Sequence, residues 1–193
     1  MKNAKKLILL ALCAVLLVGA SVMGTLAYLT SQTETITNTM TVGQVKITMD
    51  EAPVDVYGVV QAGNRVTTGN TYKLIPGHEY VKDPVIHVGS ESEDCWLFVK
   101  IENGIVDIEK AGKTIAEQLA TNGWTQIDTA NNVWAYGTKA EADDEVKTFE
   151  YFTIDGEKDI ASYADKTIAI TAYAVQADGF DTAAEAWTAA NFS

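Results

Sequence analysis

Cysteine is nearly missing from this chain: Cys13 and Cys95 are the two thiols in 193 residues. Cys13 lies inside an N-terminal apolar run, so a processed chain keeps Cys95 alone and has no internal disulfide to stabilise it. Histidine is equally scarce. His78 and His87 fall short of the ligand sets that zinc takes. Proline occurs three times, at Pro53, Pro76 and Pro84, and nowhere in a proline-rich linker. Positive charge is also sparse: 14 Lys and Arg stand against 26 Asp and Glu, a formal net charge of -12. Three of those cations, Lys2, Lys5 and Lys6, precede the apolar run, so the remainder is more acidic still. A surface of that sign repels phosphate backbones and anionic lipid, which argues against nucleic-acid or polybasic membrane binding.

Long apolar stretches are confined to Leu7–Val18. A positive start, an uncharged apolar run and then small residues from Gly19 to Ala27 is the order of a cleavable export signal. A spanning helix fits less well, because apolar density fades at Gly19, Ser21, Gly24 and Thr25 and no basic cluster follows. Cleavage after Ala20 or after Ala27 satisfies the small-residue requirement equally. Residues 1–27 are therefore expected to be a signal peptide and residues 28–193 a single domain opened by a polar arm over about 28–41. The membrane would be met only through the uncleaved signal.

What remains has 47% hydrophobic and 21% charged residues over the whole chain, enough apolar material for a core. Thr30–Thr39 is rich in Ser, Thr, Asn and Gln and reads as an extended arm or weak edge strand. Thr41–Met49 alternates, with Val45, Ile47 and Met49 on one face. Val54–Val60 and Arg65–Leu74 are expected to pair across Gln61–Asn64, and Val85–Val88 follows Pro84. Trp96–Ile101 is predicted as a central strand, with Leu97, Val99 and Ile101 on one side and Trp96, Phe98 and Lys100 on the other. Trp124–Ile127 and Asn132–Tyr136 read as a hairpin, with Phe149–Ile154 and Thr167–Gln176 completing the strands. Thr114–Ala120, closed by Asn122-Gly123, and the Thr182-Ala183-Ala184-Glu185 capping box predict two short helices. The fold class is thus mainly β: an antiparallel β-sandwich of jelly-roll type with one or two short helices.

Three stretches carry a family resemblance: Gly24-Thr25-Leu26-Ala27-Tyr28-Leu29-Thr30, then Asn38–Ile47, then Ile75–Pro84 leading into Asp94-Cys95-Trp96. Together they resemble the TasA/camelysin group of Gram-positive exported proteins, processed by a dedicated SipW-type signal peptidase. The resemblance implies a jelly-roll sandwich, export to the cell surface or biofilm matrix, and assembly into extracellular fibres. It also favours cleavage after Ala27, between the Thr25-Leu26-Ala27 motif and Tyr28. Met40 stands where that family carries an aromatic.

Candidate chemistry is thin. His78-Glu79 invites a camelysin-like metallopeptidase reading, but the helical His-Glu-x-x-His pattern has Lys82 at its second histidine position, and prolines flank the segment. Glu141 with Asp143-Asp144-Glu145 offers carboxylates to calcium without a calcium-loop pattern, and so reads as a solvated acidic turn. Trp96, Trp124, Trp134 and Trp187 suit packing better than the sugar stacking of an adhesin. Cys95 opens an apolar run and reads as an inert buried thiol. Asn191-Phe192-Ser193 spells a glycosylation sequon at the chain end. No catalytic residue, metal or cofactor is expected. The functional expectation is self-association: Leu29, Ile36, Met40 and Val42 would lie along a strand that one copy donates to the next.

Overall fold

The computed structural model describes residues 3–6, 11–14 and 43–192. It divides into two units, Met1–Thr41 and Val42–Ser193. In the first, residues 3–6 and 11–14 are helical. No helix among the described residues is long and apolar enough to cross a membrane. The export-signal positions Thr25, Ala27 and Tyr28 lie outside the described residues, as do the expected donor positions Leu29, Ile36, Met40 and Val42.

The second unit is mainly β, built from antiparallel sheets with two short helices. Its strands are β1 (Ile47–Asp50), β2 (Glu79–Val81), β3 (Val85–Val88), β4 (Cys95–Asn103), β5 (Trp124–Asp128), β6 (Val133–Tyr136), β7 (Glu145–Lys147), β8 (Tyr151–Thr153) and β9 (Ile168–Gln176). They form a four-stranded sheet ordered β5-β6-β4-β9, a three-stranded sheet ordered β1-β3-β7, and a β2-β8 pair.

The centre of the fold is β4, where period-two alternation feeds two separate cores. Leu97, Val99 and Ile101 enter the larger core with Ile86 and Val88 of β3, Trp124 of β5 and Phe152 of β8. Trp96 and Phe98 point the other way, into a smaller core under α2 (Ala183–Ala190). The expected faces of this strand are therefore the observed ones. Strand β9 is likewise two-sided: Ile168, Ile170, Ala172 and Ala174 pack on the larger core while Tyr173 and Val175 pack on the smaller.

Both helices start where their capping residues dictate. For α1 (Ile115–Thr121), the Glu117 amide donates to Thr114 Oγ1 at 3.2 Å while the Thr114 amide donates back to Glu117 Oε2 at 2.9 Å. That reciprocal box satisfies two amides that the first turn leaves without partners. The helix stops at Asn122-Gly123, where the glycine takes a left-handed φ of +86°. Thr182 and Glu185 repeat the box for α2, and Asn191 closes it in the left-handed region at φ +48°. The sequon asparagine thus has a helix-ending role.

Three expectations need correction. Val54–Val60 and Arg65–Leu74 do not pair with each other as strands; these segments contribute only the isolated bridges Glu51↔Val66 and Val54↔Val60. The reason is local: Asp55 Oδ1 accepts from the Tyr57 and Val59 amides at 2.9 and 3.0 Å, diverting donors that a ladder would use. Gly58 sits at φ +76°, with room for no side chain, since an added Cβ would stand 2.7 Å from Tyr80 Cα. Secondly, β1 starts at Ile47, although Val45, Ile47 and Met49 do share the core-facing side. Thirdly, two segments outside the expected strands are short strands: Glu79–Val81 is β2, and Glu145-Val146-Lys147, at the end of the expected acidic turn, is β7, with Val146 buried between two exposed charges.

Candidate functional site

Strand β9 pairs with β4 along all nine of its residues, from Ile168 opposite Asn103 to Gln176 opposite Cys95. Among the described residues no strand occupies its other side. Its sequence, Ile-Ala-Ile-Thr-Ala-Tyr-Ala-Val-Gln, holds no charge, no glycine and no proline. Charge and proline are devices by which exposed sheet edges normally avoid further pairing. Among the described residues this edge is long and regular and has no partner strand.

A cleft lined by both polar and apolar side chains adjoins its N-terminal end. A space of about 780 Å³ is walled by Tyr72, Leu74, Ile105, Phe152, Tyr163 and Ile168. A smaller one of about 300 Å³ lies between Met49, Val66 and Pro84 on one side and Ile168 and Ile170 on the other. Tyr80 and Phe152 stack at 4.8 Å, and Tyr72 sits edge-on to both at 5.7 and 5.0 Å. Burial pushes the Tyr72 phenol well above its ordinary range, and its hydroxyl donates to the Val81 carbonyl at 3.0 Å.

Lys82 borders both spaces and is the one buried lysine among the described residues. Its Nζ meets Glu51 Oε2 at 2.6 Å, and each side chain is 8% exposed. A second, more open cluster ties the same region together: Arg65 donates to Asp50 at 2.6 Å and to Asp83 at 2.8 Å. Burial pushes the Asp50 carboxyl up, but Arg65 and His87 beside it more than reverse this and hold it below its ordinary value. His87 Nε2 stands 3.1 Å from Asp50 Oδ1 without hydrogen-bond alignment.

The other sequence candidates are placed elsewhere. His78 Nε2 faces the Tyr57 carbonyl at 2.8 Å, and Glu79 bonds Lys113 at 2.8 Å and Thr153 at 3.1 Å. Glu79 is thereby held below its ordinary value, first by the Lys113 hydrogen bond. Asp144 accepts from the Glu141 amide at 2.8 Å and closes the turn before β7. Among the described residues no group of three or more His, Cys, Asp or Glu is arranged to hold a metal. Trp96, Trp124 and Trp134 are buried, and Trp187 covers Phe98. Cys95 is fully buried; its thiol is pushed up to about 11 by burial, with Asp94 and Asp144 adding to the effect.

No family model, curated protein or solved structure matches the chain. The geometry of this edge and its cleft thus carries the functional argument without a relative to lean on. Sequence reasoning missed the site for an identifiable reason. Thr167–Gln176 is legible as a strand, but which strand ends up outermost is a property of topology. The one signal available was negative: a nine-residue strand free of charge and proline.

Proposed function

We propose that this chain is an exported, non-enzymatic structural protein of the cell surface or extracellular matrix, whose body is a jelly-roll-type sandwich. It assembles when a dedicated signal peptidase removes residues 1–27 and the freed arm of one copy, with Leu29, Ile36, Met40 and Val42 along it, adds as a strand to the next. Strand addition draws affinity from main-chain hydrogen bonds and register from alternate side chains. A head-to-tail contact of this kind does not close on itself and therefore grows into a filament.

The observation that carries this reading is the edge of β9, which has no partner strand among the described residues and adjoins a cleft with an aromatic wall. The export pattern of residues 1–27 and the polar, β-permissive composition of residues 28–41 agree with it. The test is direct. The processed protein is followed over time and concentration by light scattering and electron microscopy, beside a version lacking residues 28–41. Filaments from the first and none from the second are expected. A processed protein that stays monomeric throughout, and behaves like its truncated form, removes the proposal.

A further inference from the structure

Buried ion pairs are a poor source of stability, since the cost of taking two charges out of water roughly cancels their attraction. The Lys82–Glu51 pair therefore calls for an explanation beyond folding, and its third neighbour supplies one. Asn70 Nδ2 donates to Glu51 Oε1 at 2.8 Å while Lys82 Nζ donates to Oε2 of the same carboxylate at 2.6 Å. One carboxylate thus holds an amine and a carboxamide side by side. Asn70 Nδ2 also donates to the Ala52 carbonyl at 3.0 Å, and its Oδ1 accepts from the Val54 amide at 3.2 Å. The Asn70 amide itself donates to Glu51 Oε1 at 3.1 Å, which fixes the carboxylate's orientation.

We propose that Lys82 and Asn70 condense into an intramolecular isopeptide bond, with Glu51 relaying the protons. Glu51 draws the two reacting side chains to a single carboxylate. Lys82 is the nucleophile, its Nζ 2.6 Å from the carboxylate oxygen that takes its proton. Glu51 takes one proton from Nζ, which frees the lone pair to attack Asn70 Cγ. Negative charge then collects on Oδ1, where the Val54 N–H already points. Nζ gives up a second proton as the tetrahedral species collapses. The Cγ–Nδ2 bond breaks with its electron pair going to Nδ2, which receives both protons and departs as ammonium. The Nζ–Cγ amide remains and Glu51 returns to its starting state, so the balance closes without oxidant, reductant or co-reactant. Because one carboxylate holds both side chains, a reaction that is very slow between free amine and amide becomes an intramolecular one.

The position gives the bond a purpose. Glu51 to Leu74 follows β1 with isolated bridges but no strand, and is held largely by side-chain hydrogen bonds. Joining Asn70 to Lys82 staples that long excursion to the residue that follows β2. Cys95 is the single cysteine after the expected signal, so a covalent tie made from Lys and Asn does what a disulfide cannot here, and reducing conditions do not undo it. This holds whether or not the chain polymerises.

Peptide mapping of the purified, denatured wild-type protein tests the bond. Trypsin cuts after Arg65, Lys73, Lys82 and Lys100 in the linear sequence. The expected product is a branched species in which Val66–Lys73 is joined to Leu74–Lys100, uncut at Lys82 and lighter than its two parts by one ammonia. K82R keeps a cation at the position, and E51Q keeps the shape of the side chain while removing the relay. Both are expected to give unbranched peptides. Recovery of separate Val66–Lys73 and Leu74–Lys82 in full yield from wild type overturns the proposal, whatever the variants do. A branched product that persists in E51Q overturns the role given to Glu51.

Discussion

Replacing Trp187 by alanine separates the two cores energetically. The indole lies on the outer face of the four-stranded sheet, with ring centroids 5.1 Å from Phe98, 5.5 Å from Tyr173 and 5.1 Å from Phe192. Each such aromatic pair contributes about 0.5–1.5 kcal/mol beyond the area it buries. Three pairs, discounted because the ring is only half-buried, put the loss at roughly 2–3 kcal/mol, at or below the usual range for Trp→Ala. An eight-residue helix has no stability of its own, so losing its anchor should release α2 as a unit. The larger core, which contains no part of α2, should survive. Hydrogen exchange read by mass spectrometry is the assay. Protection of residues 183–190 should fall by one to two orders of magnitude, as about 1.4 kcal/mol is a tenfold change, while β3 and β8 keep theirs. Equal loss of protection everywhere would refute the separation into two cores. Unchanged protection of α2 would refute the anchoring role of Trp187.

Other outcomes follow from the same geometry. Leu97→Ala, at a fully buried position in the larger core, should cost about 2–5 kcal/mol in urea unfolding and lower protection throughout the domain. Thr114→Ala removes the hydroxyl from the α1 capping box and should cost about 1 kcal/mol, with fraying confined to the first turn. Asp50→Asn addresses acid stability. Because Asp50 titrates below its ordinary value in the fold, its stabilisation is complete above the unfolded value of 3.8 and disappears as pH falls through the lower folded one. The variant should therefore be less stable than wild type at neutral pH, by about 1 kcal/mol for a part-exposed pair, and the two should converge in melts at strongly acidic pH. Cys95, buried with its thiol raised to about 11, should resist alkylation in the native protein at pH 8 and react promptly in denaturant. Native labelling at the rate of a free thiol would contradict that placement.

How much of this was legible in the sequence depended on how local the cause was. The faces of β4 and β9 and both capping boxes follow from spacings of two and three residues, and the structure has them where the spacing puts them. Val54–Val60 reads as a strand by composition, but one carboxylate, Asp55, takes two amides from it. Strand β7 was hidden because Glu145 and Lys147 are solvent-facing and only Val146 is buried. The least visible feature was the Glu51–Asn70–Lys82 group, whose members lie 19 and 31 residues apart in pairs. No periodicity links such positions. Their meeting depends on the path of the chain between β1 and β3.

The two-sided burial of β4 has a consequence for how such a chain is able to vary over time. Adding or deleting one residue within Cys95–Asn103 would rotate every later side chain by half a turn. Indole and phenyl rings would be sent into space shaped for leucine and valine, and the reverse. Length changes there are closed off, while the excursion from Glu51 to Leu74 has ample slack to absorb them. Diversification among descendants of this sequence should therefore accumulate as insertions around Gln61–Asn64, with the central ribbon kept at constant length.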